Sequence, residues 1–144
     1  MRVDVAVAIA VAVAAMSSSG CRGPAFVKAG VGCPIATGSY LSDASLVSSD
    51  GTCPRAKAHS FDHLSFDAQG AFVSPAAAIL SCTTRQLGCA LQVDCSALVL
   101  AVRLKFEGSL SEDAEALAGV ATLSDPDPGC RSIVYDVEAE RQAP

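Results

Sequence analysis

The residues of this chain that could do chemistry are its cysteines, its two histidines and a few carboxylates. Seven cysteines stand at positions 21, 33, 53, 82, 89, 95 and 130. A cysteine can carry a lipid, ligate a metal as thiolate or pair as a disulfide, and the compartment decides which. Cys53, His59 and His63 together resemble half of a zinc site, since two histidines four positions apart share one face of a helix. Residues 59–66, HSFDHLSF, have the make-up of a strand instead. On a strand His59 and His63 stand about 13 Å apart, too far to share one ion. His59, Asp62 and His63 also lie among serines, as a hydrolase site would require. No Gly-x-Ser-x-Gly elbow is present, however, and a Ser-His-Asp relay is an arrangement in space that proximity in sequence does not create. Asp125 and Asp127 are each followed by proline and lack the alternating oxygen ligands of a calcium loop, so they read as a solvated turn. No catalytic, cofactor-binding or metal-binding residue is assigned, and the expectation is a protein that is not an enzyme.

The compartment is read from the first twenty residues. Residues 5–16, VAVAIAVAVAAM, are uninterrupted apolar residues preceded by Arg2 and followed by small polar ones. A membrane-spanning helix needs about 20 such residues, so the run is too short to span and has the form of a signal-peptide core. Ser18-Ser19-Gly20-Cys21 then resembles the lipobox of bacterial lipoprotein precursors, in which a small residue precedes a cysteine that becomes the new N-terminus and carries lipid. Ser18 stands where an aliphatic residue is usual. The resemblance covers residues 1–21 only. It implies a signal peptide over 1–20 and a lipid on Cys21 that anchors the protein at the outer face of a bacterial membrane. The other reading is ordinary cleavage after Ala14 or Ser19, giving a free secreted or periplasmic protein.

Cysteine parity bears on that choice. An odd count in an exported chain leaves one cysteine without an intramolecular partner. With Cys21 lipidated, Cys33, Cys53, Cys82, Cys89, Cys95 and Cys130 form an even set able to make three disulfides. Removing residues 1–20 takes away Arg2 and Asp4 together, so the net charge stays at −5. An acidic body without a Lys or Arg cluster argues against nucleic acid and against electrostatic adhesion to anionic lipid.

The elements that must position the cysteines follow in order. Residues 21–32 read as a flexible tether and residues 33–144 as one disulfide-bonded domain. Residues 37–47 have strand composition, and Ser48-Ser49-Asp50-Gly51 reads as a turn leading to Cys53. Residues 59–66 and 71–73 flank a polar link ending in Gly70, a hairpin signature. Residues 76–84 and 90–95 flank Gln86-Leu87-Gly88 as a second hairpin, which gathers Cys82, Cys89 and Cys95. Opposed strands bring Cβ atoms to about 4.5–5.5 Å, near what a disulfide needs. Cys82 with Cys95 is the favoured pair and Cys82 with Cys89 the rival.

Residues 98–106 carry the clearest strand pattern, with Leu98, Leu100, Val102, Leu104 and Phe106 on one face and Arg103 and Lys105 on the other. Ile133, Tyr135 and Val137 alternate in the same way with Ser132, Asp136 and Glu138, and residues 116–123 form another strand. Residues 109–118 fit a hairpin tip better than a short capped helix, although Ser109 and Glu112 have capping-box spacing. Residues 125–129 form a rigid loop into Cys130, whose expected partner is Cys33 or Cys53.

Seven or eight short strands without a long helix indicate a mainly β fold: a small antiparallel meander closed as a barrel or folded as a sandwich, stabilised by disulfides. The expected function is that of an exported cell-envelope lipoprotein acting as a binding or structural module for an envelope protein, a glycan or a small apolar ligand. The alternative is a secreted small enzyme or enzyme inhibitor on the same scaffold.

Overall fold

The computed structural model describes residues 25–28, 32–74, 80–97 and 99–144. Residues 1–20, read from sequence as a signal peptide, lie outside the described residues, as do Cys21 and Leu98. The elements are β1 (Ala25–Lys28), β2 (Gly38–Gly51), β3 (His59–Phe66), β4 (Leu80–Leu87), β5 (Ala90–Ala97), β6 (Arg103–Leu110), β7 (Ala116–Asp127) and β8 (Cys130–Arg141). They make one sheet in the order β1-β4-β5-β6-β7-β8-β2-β3. Every pairing is antiparallel except that of β1 with β4, which is parallel with Ala25 opposite Thr84.

Period-two alternation separates the two faces of the sheet. Along β4, Leu80, Cys82, Thr84 and Gln86 are buried while Ser81, Thr83, Arg85 and Leu87 are exposed. Along β8, Ile133, Val137 and Ala139 are buried while Asp136, Glu138 and Glu140 face water. One face is therefore core and the other solvated, the usual division in an antiparallel sheet. Tyr40, Phe66 and Phe72 form a chain of edge-on aromatic contacts on the inner face, with centroids 5.9 and 5.7 Å apart. Phe106 covers Gly108 and Gly119, which stand opposite one another across β6 and β7.

The sheet is not closed as a barrel. Among the described residues β1 and β3 are its two edges, and the eight strands belong to a single sheet rather than to two stacked ones. Side chains of β4 do part of the work that a closing ladder would do. The Phe72 N–H donates to Thr84 Oγ1 at 2.8 Å. The Ala36 N–H donates to Gln86 Oε1 at 3.0 Å, and Gln86 Nε2 donates to the carbonyls of Pro34 and Gly88, each at 2.9 Å. Gln86 is 1% exposed, so these bonds satisfy an amide that burial would otherwise penalise.

Several boundaries differ from the sequence reading. Ala25–Lys28, inside the stretch read as tether, adds to the edge of the sheet as β1. The turn expected at 48–51 is the last part of β2, which a bulge between Leu46 and Ser48 carries onward along β8. The hairpin of 59–66 with 71–73 reduces to one bridge, Phe66 with Phe72, and the long partner of β3 is β2. The strand expected from 98 begins at Arg103. β5 continues to Ala97, whose N–H donates to the Val102 carbonyl at 3.0 Å and turns the chain there. Val99 and Leu100 consequently stand in the turn, 84% and 49% exposed, while Val102 and Phe106 are buried. β7 runs through Pro126 to Asp127, so the rigid loop expected at 125–129 shrinks to a tight turn at Pro128-Gly129. Residues 111–115 form a hairpin tip, with no helix.

Candidate functional site

Three disulfides use the six cysteines that follow Cys21. Cys82 and Cys95 are register partners on the inner face of β4 and β5, with Cα atoms 4.0 Å apart. Cys33 pairs with Cys89 and Cys53 with Cys130, with Cα separations of 5.0 and 4.8 Å. Of the two partners considered for Cys130, the chain uses Cys53. Cys33–Cys89 fastens the segment before β2 to the β4–β5 turn. Cys53–Cys130 fastens the segment after β2 to the start of β8, at the opposite end of the sheet. Cys33, Cys82, Cys95 and Cys130 are buried, which suits a framework shielded from exchange with solvent thiols.

The histidines do not meet the partners their spacing suggests. His59 Nδ1 lies 3.3 Å from Ser45 Oγ and 3.5 Å from Asp43 Oδ1. Both contacts fall on the same ring nitrogen, whereas a relay needs the serine on one nitrogen and the carboxylate on the other. The His59 and Asp43 side chains are also 62% and 49% exposed, so water competes for every bond. His63 is exposed opposite Leu41. Asp62, adjacent to His63 on the same strand, points to the other face. Its Oδ2 accepts from Ser60 Oγ at 2.9 Å, and its backbone carbonyl accepts from Ser42 Oγ at 3.0 Å. Cys53 is tied up with Cys130. Among the described residues no group of three or more His, Cys, Asp or Glu side chains could hold a metal ion. Asp125 sits with φ +51° in the β7 bulge, and Asp127 Oδ1 lies 3.6 Å from Arg55 Nε. The two aspartates are therefore parts of a strand end, not of one ligand set.

The two ends of the sheet differ in chemistry. At one end the β6–β7 tip folds over the core. Ser111 Oγ donates to Asp113 Oδ1, and the N–H groups of Glu115 and Ala116 donate to Asp113 Oδ1 and Ser111 Oγ at 3.1 and 2.9 Å. The Ser111 hydroxyl, with the Glu115 N–H, holds the Asp113 carboxyl below its usual range. Ala114 turns inward, and its carbonyl accepts from the buried Tyr40 hydroxyl. Burial pushes the Tyr40 phenol up, and the nearby Arg141 guanidinium offsets part of that. Arg141 donates to Thr37 Oγ1 at 3.1 Å and lies 3.6 Å from Glu115 Oε1, bracing the tip from the side.

At the other end stand the β5–β6 turn with Val99 and Leu100, the Cys53–Cys130 link and two ion pairs. Arg131 bonds Asp50 at 2.6 Å, and Arg55 faces Asp127. The exposed Val99-Leu100 pair is the feature that the sequence pattern misassigned to a strand. The only sequence signal for it is negative: the apolar run from Ala97 to Val102 contains no glycine, proline or asparagine to mark a turn. Comparison with protein-family models, with curated proteins and with solved structures gives no match.

Proposed function

We propose that this chain is an exported cell-envelope lipoprotein, held by a lipid on Cys21, whose β domain is a non-enzymatic binding or structural module. The observation that carries the reading is the complete pairing of Cys33, Cys53, Cys82, Cys89, Cys95 and Cys130. Stable disulfides belong to oxidising compartments, which suits the export signal read over residues 1–20. The pairing leaves Cys21, directly after Gly20, as the cysteine left over for lipid. The partner is an envelope protein, a glycan or a small apolar ligand, displayed to by loops on a sheet cross-linked at both ends.

Mass spectrometry of the native protein, with and without reduction, tests the reading. The expected species begins at Cys21, carries the added mass of lipid and gains six hydrogens on reduction. The Cys21→Ala protein moves to the aqueous fraction. A chain that begins after Ala14 or Ser19 with an unmodified Cys21 thiol overturns the anchor.

A further inference from the structure

Resting on that reading of Cys21, we infer that the β5–β6 turn is a membrane-contact site: Val99 and Leu100 dip into the outer leaflet of a phospholipid bilayer beside the lipid anchor. Three observations converge on it.

The first is reach. β1 runs parallel to β4, so the chain enters the sheet from the end where β4 begins, with Ala25 level with Thr84. Cys21 precedes Ala25 by four positions, and four Cα-to-Cα steps span at most about 14 Å. Leu80, the first residue of β4, likewise precedes Thr84 by four positions. A lipidated Cys21 thus reaches about the level of Leu80 and no farther. The bilayer surface must come up to the domain, because too little chain precedes β1 to hold the domain away from it.

The second is position. Leu80 pairs with Ala97, the last residue of β5, and the chain turns immediately beyond it. The β5–β6 turn therefore lies at the end of the sheet toward which the N-terminal chain leads. Two side chains of the turn, Val99 and Leu100, are among the exposed large apolar residues, and Val99 is the most exposed of those described.

The third is charge. An acidic body is repelled by an anionic leaflet, so any contact must be made where its carboxylates are absent or neutralised. From Cys95 to Phe106 the chain carries no carboxylate; Arg103 stands next to the turn, and Lys105, farther along β6, is paired with Glu107 at 2.7 Å. At the same end, Asp50 and Asp127 face Arg131 and Arg55. Arg103 in turn stands opposite Ser124, which precedes the exposed Asp125, so charges of both signs balance around the turn, and an exposed apolar pair in a near-neutral surround suits the boundary between acyl chains and headgroups.

The chain has no tryptophan, so a single substitution supplies a unique fluorescent reporter. The lipidated Leu100→Trp and Val120→Trp proteins are reconstituted into phosphatidylcholine–phosphatidylglycerol vesicles, with and without brominated acyl chains. Val120 is exposed in the middle of β7 on the solvated face and serves as the control. Brominated lipid is expected to cut the emission of the Leu100→Trp protein about twofold and to leave that of the Val120→Trp protein unchanged, as insertion of one turn to headgroup depth requires. Protein that co-sediments with vesicles while Leu100→Trp is unquenched overturns the inference and leaves the anchor standing. Quenching of Val120→Trp instead shows that the sheet face lies on the bilayer and also overturns it. Emission from Leu100→Trp that shifts to the blue with protein concentration, without vesicles, assigns the turn to a second copy of the chain and overturns it as well. Failure to co-sediment removes the anchor, and the inference with it.

Discussion

The hydroxyl of Tyr40 donates to the carbonyl oxygen of Ala114 at 2.8 Å, joining β2 to the β6–β7 tip across 74 residues of sequence. Ala114 has φ +57°, a left-handed conformation that a residue with a Cβ adopts at some cost. Tertiary contact holds it there: Ala114 is buried, and its N–H donates to the Ser111 carbonyl at 2.9 Å. Tyr40→Phe keeps the ring and strands a buried carbonyl, so the expected loss of stability is about 1–3 kcal/mol. Denaturant midpoints of the two proteins measure it.

The same phenol gives a pH dependence. Burial raises the Tyr40 pKa above the ordinary 10.0, so the folded state holds the proton more tightly than the unfolded chain does. The resulting stability is fully present below pH 10 and is lost as pH rises from there through the folded-state value. In a Tyr135→Phe background the phenolate absorbance reports Tyr40 alone. Its midpoint is expected above that of the denatured protein, and coincident midpoints would refute the burial argument.

Gly119→Ala should be costly for a reason unrelated to backbone freedom. A Cβ there would lie 2.8 Å from Phe106 Cζ and run into the backbone of β6 at Glu107. Overpacking of this kind costs about 1–3 kcal/mol. Gly88→Ala is the comparison, since a Cβ at Gly88 meets nothing within 4 Å and only its φ of +58° resists substitution. Thermal melts should place Gly119→Ala below Gly88→Ala; the reverse order would mean that β6 and β7 spread easily.

Removing disulfides pairwise to serine should rank them by loop length. The Cys82–Cys95 link spans 13 residues and Cys53–Cys130 spans 77. The chain-entropy model assigns them about 3 and about 4.5 kcal/mol. Equal losses in urea unfolding would show that entropy of the unfolded chain is not what separates them.

How much of this was legible beforehand depended on whether the information was local. The alternation in β8 is local, so the sequence alone points Ile133 and Val137 inward and Asp136 and Glu138 outward, as they stand in the fold. Cys82 and Cys95 could be paired because both lie on one hairpin at matching distances from its turn. The Leu98–Phe106 pattern misled because alternation continues in composition after the backbone has turned. Val99 and Leu100 are apolar without being buried, and only the Ala97–Val102 bond marks the break. Pro126 argued for a loop, since proline cannot donate to a ladder. β6 begins opposite Ser124, so beyond that point β7 has no neighbour on that side and the missing N–H costs little. The parallel pairing of Ala25–Lys28 with β4 is a contact between segments more than fifty residues apart, and nothing in AFVK encodes it. The open edge likewise depends on where Thr84 and Gln86 find partners. The site was less legible than the fold, because His59 and Asp62 look adjacent in sequence and point to opposite faces.

The disulfides have one consequence that emerges only from their order along the chain. Cys33–Cys89 and Cys53–Cys130 interlock rather than nest, since Cys53 falls inside the first loop and Cys89 inside the second. Every peptide bond between Cys33 and Cys130 is therefore bridged by at least one covalent link. A protease that cuts once anywhere in that interval produces a nick, and no fragment can diffuse away. A scission in a loop of that interval would therefore leave the molecule in one covalent piece.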